Sequence, residues 1–139
     1  MSNLTTVQEI YAAFGRGDIP GILERLNDDV VWDGGDGPAS RLVPWMEPRH
    51  GRDAVPAFFE ALRAVEITRF EPLYYLTDET HVAAVIGLAA TVRETGRSMA
   101  DDELHLWTFD ADGEVIAFRH YVDTAKQLEA MGITLEAAA

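Results

Sequence analysis

Two histidines near the end of the chain are the side chains best suited to acid–base chemistry. Glu103, His105 and Trp107 alternate along one predicted strand, and Phe118 and His120 alternate along the next. Alternate residues of a strand share one face, so we predict that both histidines face the same apolar surface. Histidine titrates near neutral pH, and an apolar environment shifts its pKa further. The pair is therefore the first candidate for a general acid–base site.

The distance between the two imidazoles depends on the turn that joins these strands. A two-residue turn at Ala111-Asp112 would place His105 opposite Phe118 and diagonal to His120. Diagonal neighbours lie roughly 7 to 8 Å apart, within reach of one small molecule. The same register places Ile116 on the shared face. The alternative is that one or both histidines are ordinary core or rim residues.

Three carboxylates are further candidates. Asp33 follows Trp32 at the end of a short predicted strand and could act as a base at the mouth of a pocket, or it could form a turn ahead of two glycines. Glu103 is either buried beside the histidines or part of a solvated strand end. Asp123 fits a helix cap better than a catalyst. We predict Asp33, His105 and His120 as the catalytic residues.

Aromatic residues are the candidate walls of this pocket. Trp32 and Trp45 flank a glycine-rich segment, where they could cover an apolar ligand, although ordinary packing explains them nearly as well. Tyr11 and Phe14 lie on a helical stripe, and Tyr11 could point its hydroxyl inward. The predicted substrate-binding residues are Trp32, Trp45, Trp107, Phe118, Tyr11, Phe14 and Phe58.

Motifs for metals and nucleotides do not accompany these residues. The four histidines show no His-x-His or His-x-x-x-His spacing. The sequence also has no nucleophile elbow, no phosphate-binding loop and no dinucleotide fingerprint. We therefore predict neither a metal nor a cofactor.

The composition is that of one acidic domain. The chain has 139 residues, 24 acidic and 11 basic side chains, a net charge of -13 and no cysteine. This charge disfavours nucleic acid and anionic membranes as partners, and the lack of cysteine excludes thiol chemistry. The longest uncharged apolar stretch, Val82 to Val92, is about half of the roughly 20 residues that span a bilayer. Residues 1–6 lack the features of a secretory signal, so we expect a cytoplasmic protein.

Helices are predicted first and strands afterwards. Thr5 with Gln8 forms a capping-box pattern, and Asp18 and Asp53 are predicted to cap a second and a third helix. The glycine-rich segment from 34 to about 49 is predicted to be a loop.

Four long strands follow, and a short helix closes the chain. The predicted strands are 66–76, 81–94, 98–110 and 114–122, and the last helix runs from its cap Asp123 to Gly132. This order predicts a single α+β domain over residues 1–139, in which helices cover one face of a curved antiparallel sheet around a cone-shaped pocket.

Several segments, in order along nearly the whole chain, resemble the SnoaL-like branch of the nuclear transport factor 2-like (ketosteroid isomerase-like) superfamily. They are Gly17-Asp18, Asp28 to Trp32, His50 to Phe59, Asp112-Gly113 and Phe118 to Asp123. The resemblance implies a cystatin-like α+β barrel. It leaves the activity open, because the superfamily includes isomerases, cyclases, epoxide hydrolases, dehydratases and carriers without activity.

The resemblance also implies where functional positions of the superfamily fall in this chain. The oxyanion-stabilising acid of the steroid isomerases falls on His105, and the catalytic aspartate of the limonene-type epoxide hydrolases falls on His120. The isomerase tyrosine falls on Ile10, and the isomerase base falls on Gly34, next to Asp33. The Arg and Asp pair of the epoxide hydrolases would lie within 85–88, which is uncharged. The full set of catalytic residues is therefore present neither for the steroid isomerases nor for the epoxide hydrolases.

The predicted function is proton transfer on a small apolar ketone or polycyclic substrate, without a cofactor. His120 would be the general base or acid, and His105 would donate a hydrogen bond to a developing oxyanion. The alternatives are a protein that binds a small hydrophobic ligand without turnover, and an association module whose pocket is filled by its own side chains.

The resemblance favours a homodimer that forms through the sheet. The predicted strand 81–94 is apolar on both faces. One face can cover the pocket while the other meets a second subunit.

Overall fold

The computed structural model describes residues 1–134, and their first part is helical. Helix α1 spans Asn3–Gly15 and α2 spans Ile19–Leu23. Ser2 caps α1 by accepting a hydrogen bond from the backbone N–H of Thr5, so the helix begins earlier than the predicted capping box at Thr5. Asp18 caps α2 as predicted.

The glycine-rich segment holds more regular structure than the loop that was predicted. It contains α3 (Pro38–Leu42) and a 3-10 turn (Pro44–Met46). β1 (Leu26–Asp33) precedes it, and β2 (Arg49–His50), a second 3-10 turn (Arg52–Ala54) and α4 (Val55–Leu62) follow. Pro38 and Pro44 begin helical turns, because the fixed φ of proline suits that position. Asp53 lies within the second 3-10 turn, so the prediction that it caps α4 is wrong.

Six strands form one curved, unclosed sheet within residues 1–134. The long strands are β3 (Val65–Thr77), β4 (His81–Val92), β5 (Ser98–Phe109) and β6 (Val115–Tyr121). The order across the sheet is β2-β1-β6-β5-β4-β3, and all neighbours are antiparallel except β1 and β6, which are parallel. Two register shifts in β3 mark bulges, which bend a strand locally.

The turn between β5 and β6 is longer than the predicted two residues. The carboxylate of Asp110 accepts hydrogen bonds from the N–H groups of Asp112 at 2.9 Å and Glu114 at 3.0 Å, so residues 110–114 form one organised turn. A register shift follows, at which Val115 pairs with Phe109. Val115 is therefore buried, and the prediction that Ile116 faces inward is wrong, since Ile116 is exposed.

This turn changes the pairing of the two strands by two residues. His105 lies directly opposite His120, and Trp107 lies opposite Phe118. The predicted pairing of His105 with Phe118 is therefore wrong. Because side chains alternate with a period of two, a shift by two residues leaves both histidines on the predicted common face.

The helices cover the concave face of this sheet, so the α+β prediction is confirmed. Helix α5 spans Thr124–Ala130; Asp123 caps it and Gly132 follows with a φ of 77°. Val7, Ile10 and Phe58 are buried against the inward residues of the strands. The helices within residues 1–134 include none with the length and apolar character of a membrane span.

Candidate functional site

A cavity lies between the helices and the concave face of the sheet, and we call it the central cavity. Its empty volume is about 730 Å³, which includes solvent at its mouth, and the centre of a water molecule fits in about 80 Å³ of it. One water needs about 10 to 15 Å³ by the same measure. The central cavity therefore has room for several waters or a small organic molecule.

The structure brings nearly all of the predicted site residues to the wall of the central cavity. They are Tyr11, Phe14, Trp32, Trp45, Phe58, His105, Trp107, Phe118 and His120. Asp33 is not among the lining residues, and its Oδ1 accepts a hydrogen bond from the N–H of Gly35 at 2.7 Å. The turn-forming geometry of Asp33 is thus present, and its catalytic role stays a prediction.

One hydrogen-bonded chain of side chains crosses the cavity wall. Trp107 Nε1 donates to Tyr11 Oη at 3.0 Å, and Tyr11 Oη is 2.8 Å from His105 Nδ1. On the other side of the ring, His105 Nε2 is 3.3 Å from Glu103 Oε1. Glu103 is only 7% exposed, so it lies with the histidines and not at a solvated strand end.

The chemistry of the indole determines the direction of the first hydrogen bond in this chain. An indole N–H can only donate, so the Tyr11 hydroxyl accepts from Trp107, and we assign the hydrogen of this hydroxyl to the bond with His105 Nδ1. Nδ1 is then an acceptor, and the ring hydrogen is on Nε2, where it donates to Glu103. Both ring nitrogens of His105 are engaged within the protein. In this arrangement neither is free to donate to an oxyanion, which was the predicted role of His105.

The Tyr11 hydroxyl stays protonated in this network. Burial raises the pKa of Tyr11 well above its ordinary value, although the hydrogen bond from Trp107 opposes the shift. The hydroxyl therefore keeps its hydrogen, which it donates to His105, and does not act as an acid near neutral pH.

His120 differs from His105 in its surroundings. Its ring packs against the rings of Phe58 and Phe118, with centroids 5.9 and 5.5 Å away, and it has no hydrogen bond to any residue within 1–134. Burial lowers the pKa of His120 to about 4, while the charges of Glu103 and Asp33 oppose that shift. His120 is therefore a neutral imidazole in the wall of the central cavity, with its ring nitrogens unengaged.

Gln127 is a site residue that the sequence did not reveal. It is 4% exposed and lines the central cavity, and its Oε1 accepts a hydrogen bond from Trp45 Nε1 at 2.7 Å. Asp123 caps α5, so Gln127 follows one turn into that helix. A polar residue one turn after the cap was a weak signal, because most such residues face solvent.

The 3-10 turn Pro44–Met46 leaves no room for a side chain at Gly34. A Cβ at this position would overlap the backbone carbonyl of Met46, and it would lie 3.0 Å from the Cα of Met46. The 3-10 turn Pro44–Met46 therefore packs where the resemblance places the base of the steroid isomerases. A base side chain at position 34 would require a shift of this turn.

Groups that could hold a metal ion do not occur among residues 1–134, where no three His, Cys, Asp or Glu side chains come together suitably. His50 and His81 lie outside the central cavity. The cavity wall is thus built from aromatic and aliphatic side chains with a few polar groups.

The sequence matches a known family model over most of its length. The model of the SnoaL-like domain matches residues 7–118. This chain belongs to the SnoaL-like domain family. No curated protein matches this SnoaL-like chain.

Solved structures with a similar fold support this family assignment. A nuclear transport factor 2-like protein of unknown function from Burkholderia pseudomallei is 30% identical, with a TM-score of 0.82 over 94% of this chain and 98% of that one. A nuclear transport factor 2-like protein from Burkholderia xenovorans is 28% identical, with a TM-score of 0.78 over 92% and 94%. TerC, crystallised with polyporic acid, is 21% identical and shares the fold, with a TM-score of 0.79 over 94% and 98%.

Proposed function

We propose that this SnoaL-like protein binds a small apolar ketone in the central cavity and transfers a proton on it, with His120 as the general base. The observation that carries the proposal is the state of His120, which is 8% exposed and neutral, and whose ring has no hydrogen bond to other residues within 1–134. A neutral imidazole with a free ring nitrogen is what a base at a C–H bond requires.

The proton-transfer step uses only groups in the cavity wall. A ring nitrogen of His120 takes a proton from the carbon next to the ketone carbonyl, and the C–H electron pair moves to form an enolate. The low pKa makes His120 a weak base in the empty cavity. A negative charge that develops beside the ring favours its protonated form, so the enolate itself raises the pKa of His120 during the step.

His105 has a positioning role in this proposal. Tyr11 and Glu103 hold its ring from both sides, and it lies directly opposite His120.

A cavity with aromatic walls supports an apolar ligand, with or without turnover. The association alternative requires a pocket filled by its own side chains, whereas the central cavity keeps space for a small molecule. Binding without turnover is the second candidate function, and the low pKa of His120 favours it.

Hydrogen exchange separates these two functions. The protein is incubated with 1-tetralone in D₂O, and NMR follows both binding and the exchange of the hydrogens beside the carbonyl. We expect catalysed exchange that His120→Gln abolishes, while the control His50→Gln, at an exposed histidine of β2, keeps it. Binding of 1-tetralone without catalysed exchange in the native protein would leave the ligand-binding function and remove the enzymatic one.

We propose in addition that two copies pair through the outer face of the sheet. Ala83 and Val85 lie on that face between fully buried neighbours, and the exposed Tyr74 and Leu76 are their strand partners. Contiguous apolar surface of this kind is typical of an interface, and self-association through one patch requires two-fold symmetry.

A further inference from the structure

Gln127 is a buried polar side chain that the proton-transfer step does not use. It lies in the wall of the central cavity with an exposed fraction of 4%. A glutamine amide has one acceptor oxygen and a nitrogen with two hydrogens to donate. Burial of these groups costs free energy unless each finds a partner.

Trp45 determines which end of the amide is available. Its Nε1 donates to Gln127 Oε1 at 2.7 Å. Because an indole N–H cannot accept, the atom opposite it must be the amide oxygen. The amide nitrogen, Nε2, is therefore turned away from Trp45, and the side chain cannot flip without the loss of this hydrogen bond.

The amide nitrogen has no partner within residues 1–134. Among those residues, Trp32 Nε1 and Arg49 Nε are the unpartnered polar side-chain atoms that are fully enclosed. Gln127 Nε2 is not one of them, so this unpartnered nitrogen keeps some accessible surface, and Gln127 itself lines the central cavity. A side chain that lines the central cavity thus has two amide hydrogens without a partner within residues 1–134.

We infer that Gln127, held by Trp45, donates a hydrogen bond to the carbonyl oxygen of the bound ligand and selects for ligands with an acceptor at that point. The inference deepens the proposed function and rests on binding in the central cavity. A ligand that lacks the acceptor leaves the buried amide unpaired, which is the more costly case. The same donor would stabilise the enolate oxygen in the proton-transfer step.

A matched pair of probes tests this selection. 1-Tetralone and tetralin differ only at the carbonyl, and NMR titration gives the Kd of each. We expect the preference for 1-tetralone over tetralin to fall roughly tenfold in Gln127→Leu, because one hydrogen bond and the cost of an unpaired amide are removed together. Gln8→Leu, at an exposed glutamine of α1, is the control and should keep the native preference.

The variant Trp45→Phe provides a second, independent test of this selection. It removes the indole donor, so the amide can flip, and we expect a smaller loss of preference than in Gln127→Leu. In the unmodified protein, 1-tetralone should also shift the side-chain NH₂ resonances of Gln127, and tetralin should shift them less. This readout remains if a variant does not fold.

The outcomes distinguish the inference from the function on which it rests. The role of Gln127 is wrong if both probes bind, Gln127→Leu keeps the native preference, and 1-tetralone does not shift the Gln127 resonances. Binding in the cavity then stands. If neither probe binds the native protein, the proposed function and this inference both fail.

Discussion

His105 and His120 lie directly opposite each other on β5 and β6, and their imidazoles have opposite hydrogen-bonding states. Tyr11 and Glu103 engage both nitrogens of His105, whereas His120 has no such partner within residues 1–134. The ring of His105 is therefore held in place, whereas the nitrogens of His120 are free. This division is the basis of the first two predictions.

The first prediction concerns the stability of the fold in acid. Burial lowers the pKa of His120 to about 4 from an ordinary 6.5, so between these values the unfolded chain holds a proton that the folded protein does not. The folded state is therefore destabilised as the pH falls through this window. Between pH 7 and pH 4, we expect the free energy of unfolding of the native protein to drop by on the order of 3 kcal/mol more than that of His120→Gln.

Urea unfolding at a series of pH values measures this effect. His50→Gln, at an exposed histidine of β2, is the matched control and should follow the native profile. Parallel profiles for the native protein and His120→Gln would contradict the assignment of His120 as a buried neutral imidazole.

The second prediction concerns the tautomer of His105. Nitrogen NMR should find the ring hydrogen on Nε2, because Nδ1 accepts from Tyr11. Tyr11→Phe leaves Trp107 Nε1 and His105 Nδ1 without their partner, so we expect a loss of about 1 to 3 kcal/mol in the free energy of unfolding.

Tyr121→Phe is the control for this variant, since Tyr121 is 43% exposed and on the outer face of the sheet. A native His105 with its hydrogen on Nδ1, unchanged in Tyr11→Phe, would show that the chain of donors runs in another direction.

The third prediction concerns the backbone near Gly34. A methyl group there would overlap the carbonyl of Met46, so Gly34→Ala should destabilise the fold by about 1 to 3 kcal/mol. Gly37→Ala is the matched control, because nothing lies within 4 Å of a Cβ at Gly37 and its φ of -82° suits alanine. Equal stability of the two variants in urea would mean that the 3-10 turn moves without cost.

The fourth prediction concerns the outer face of the sheet. Leu76 is 62% exposed and pairs with Ala83, so Leu76→Lys should weaken the proposed dimer. Leu42→Lys changes a residue that is 39% exposed on α3, away from that face, and should leave the dimer intact. Sedimentation equilibrium compares the three proteins, and a native protein that remains monomeric at high concentration would overturn the proposal.

Local sequence signals were sufficient for much of the fold. Asp18 and Asp123 were recognised as helix caps because a cap depends on a few neighbouring residues. The inward face of β5 could be predicted because side chains alternate along any strand. The turn after β5 was predicted too short, since the side chain of Asp110 organises five residues where two were expected.

By itself, the sequence determined the fold class, the family resemblance and the gathering of aromatic residues and two histidines on one concave face, because these follow from local periodicity and short motifs. Only the tertiary structure decided which histidine is free and that Gln127 lines the cavity with its amide oxygen held by Trp45. The deciding contacts join Tyr11 to His105 and Trp45 to Gln127, which are 94 and 82 residues apart in the chain. A hydrogen bond between such distant residues depends on how the helices pack against the sheet, and no local pattern contains that information.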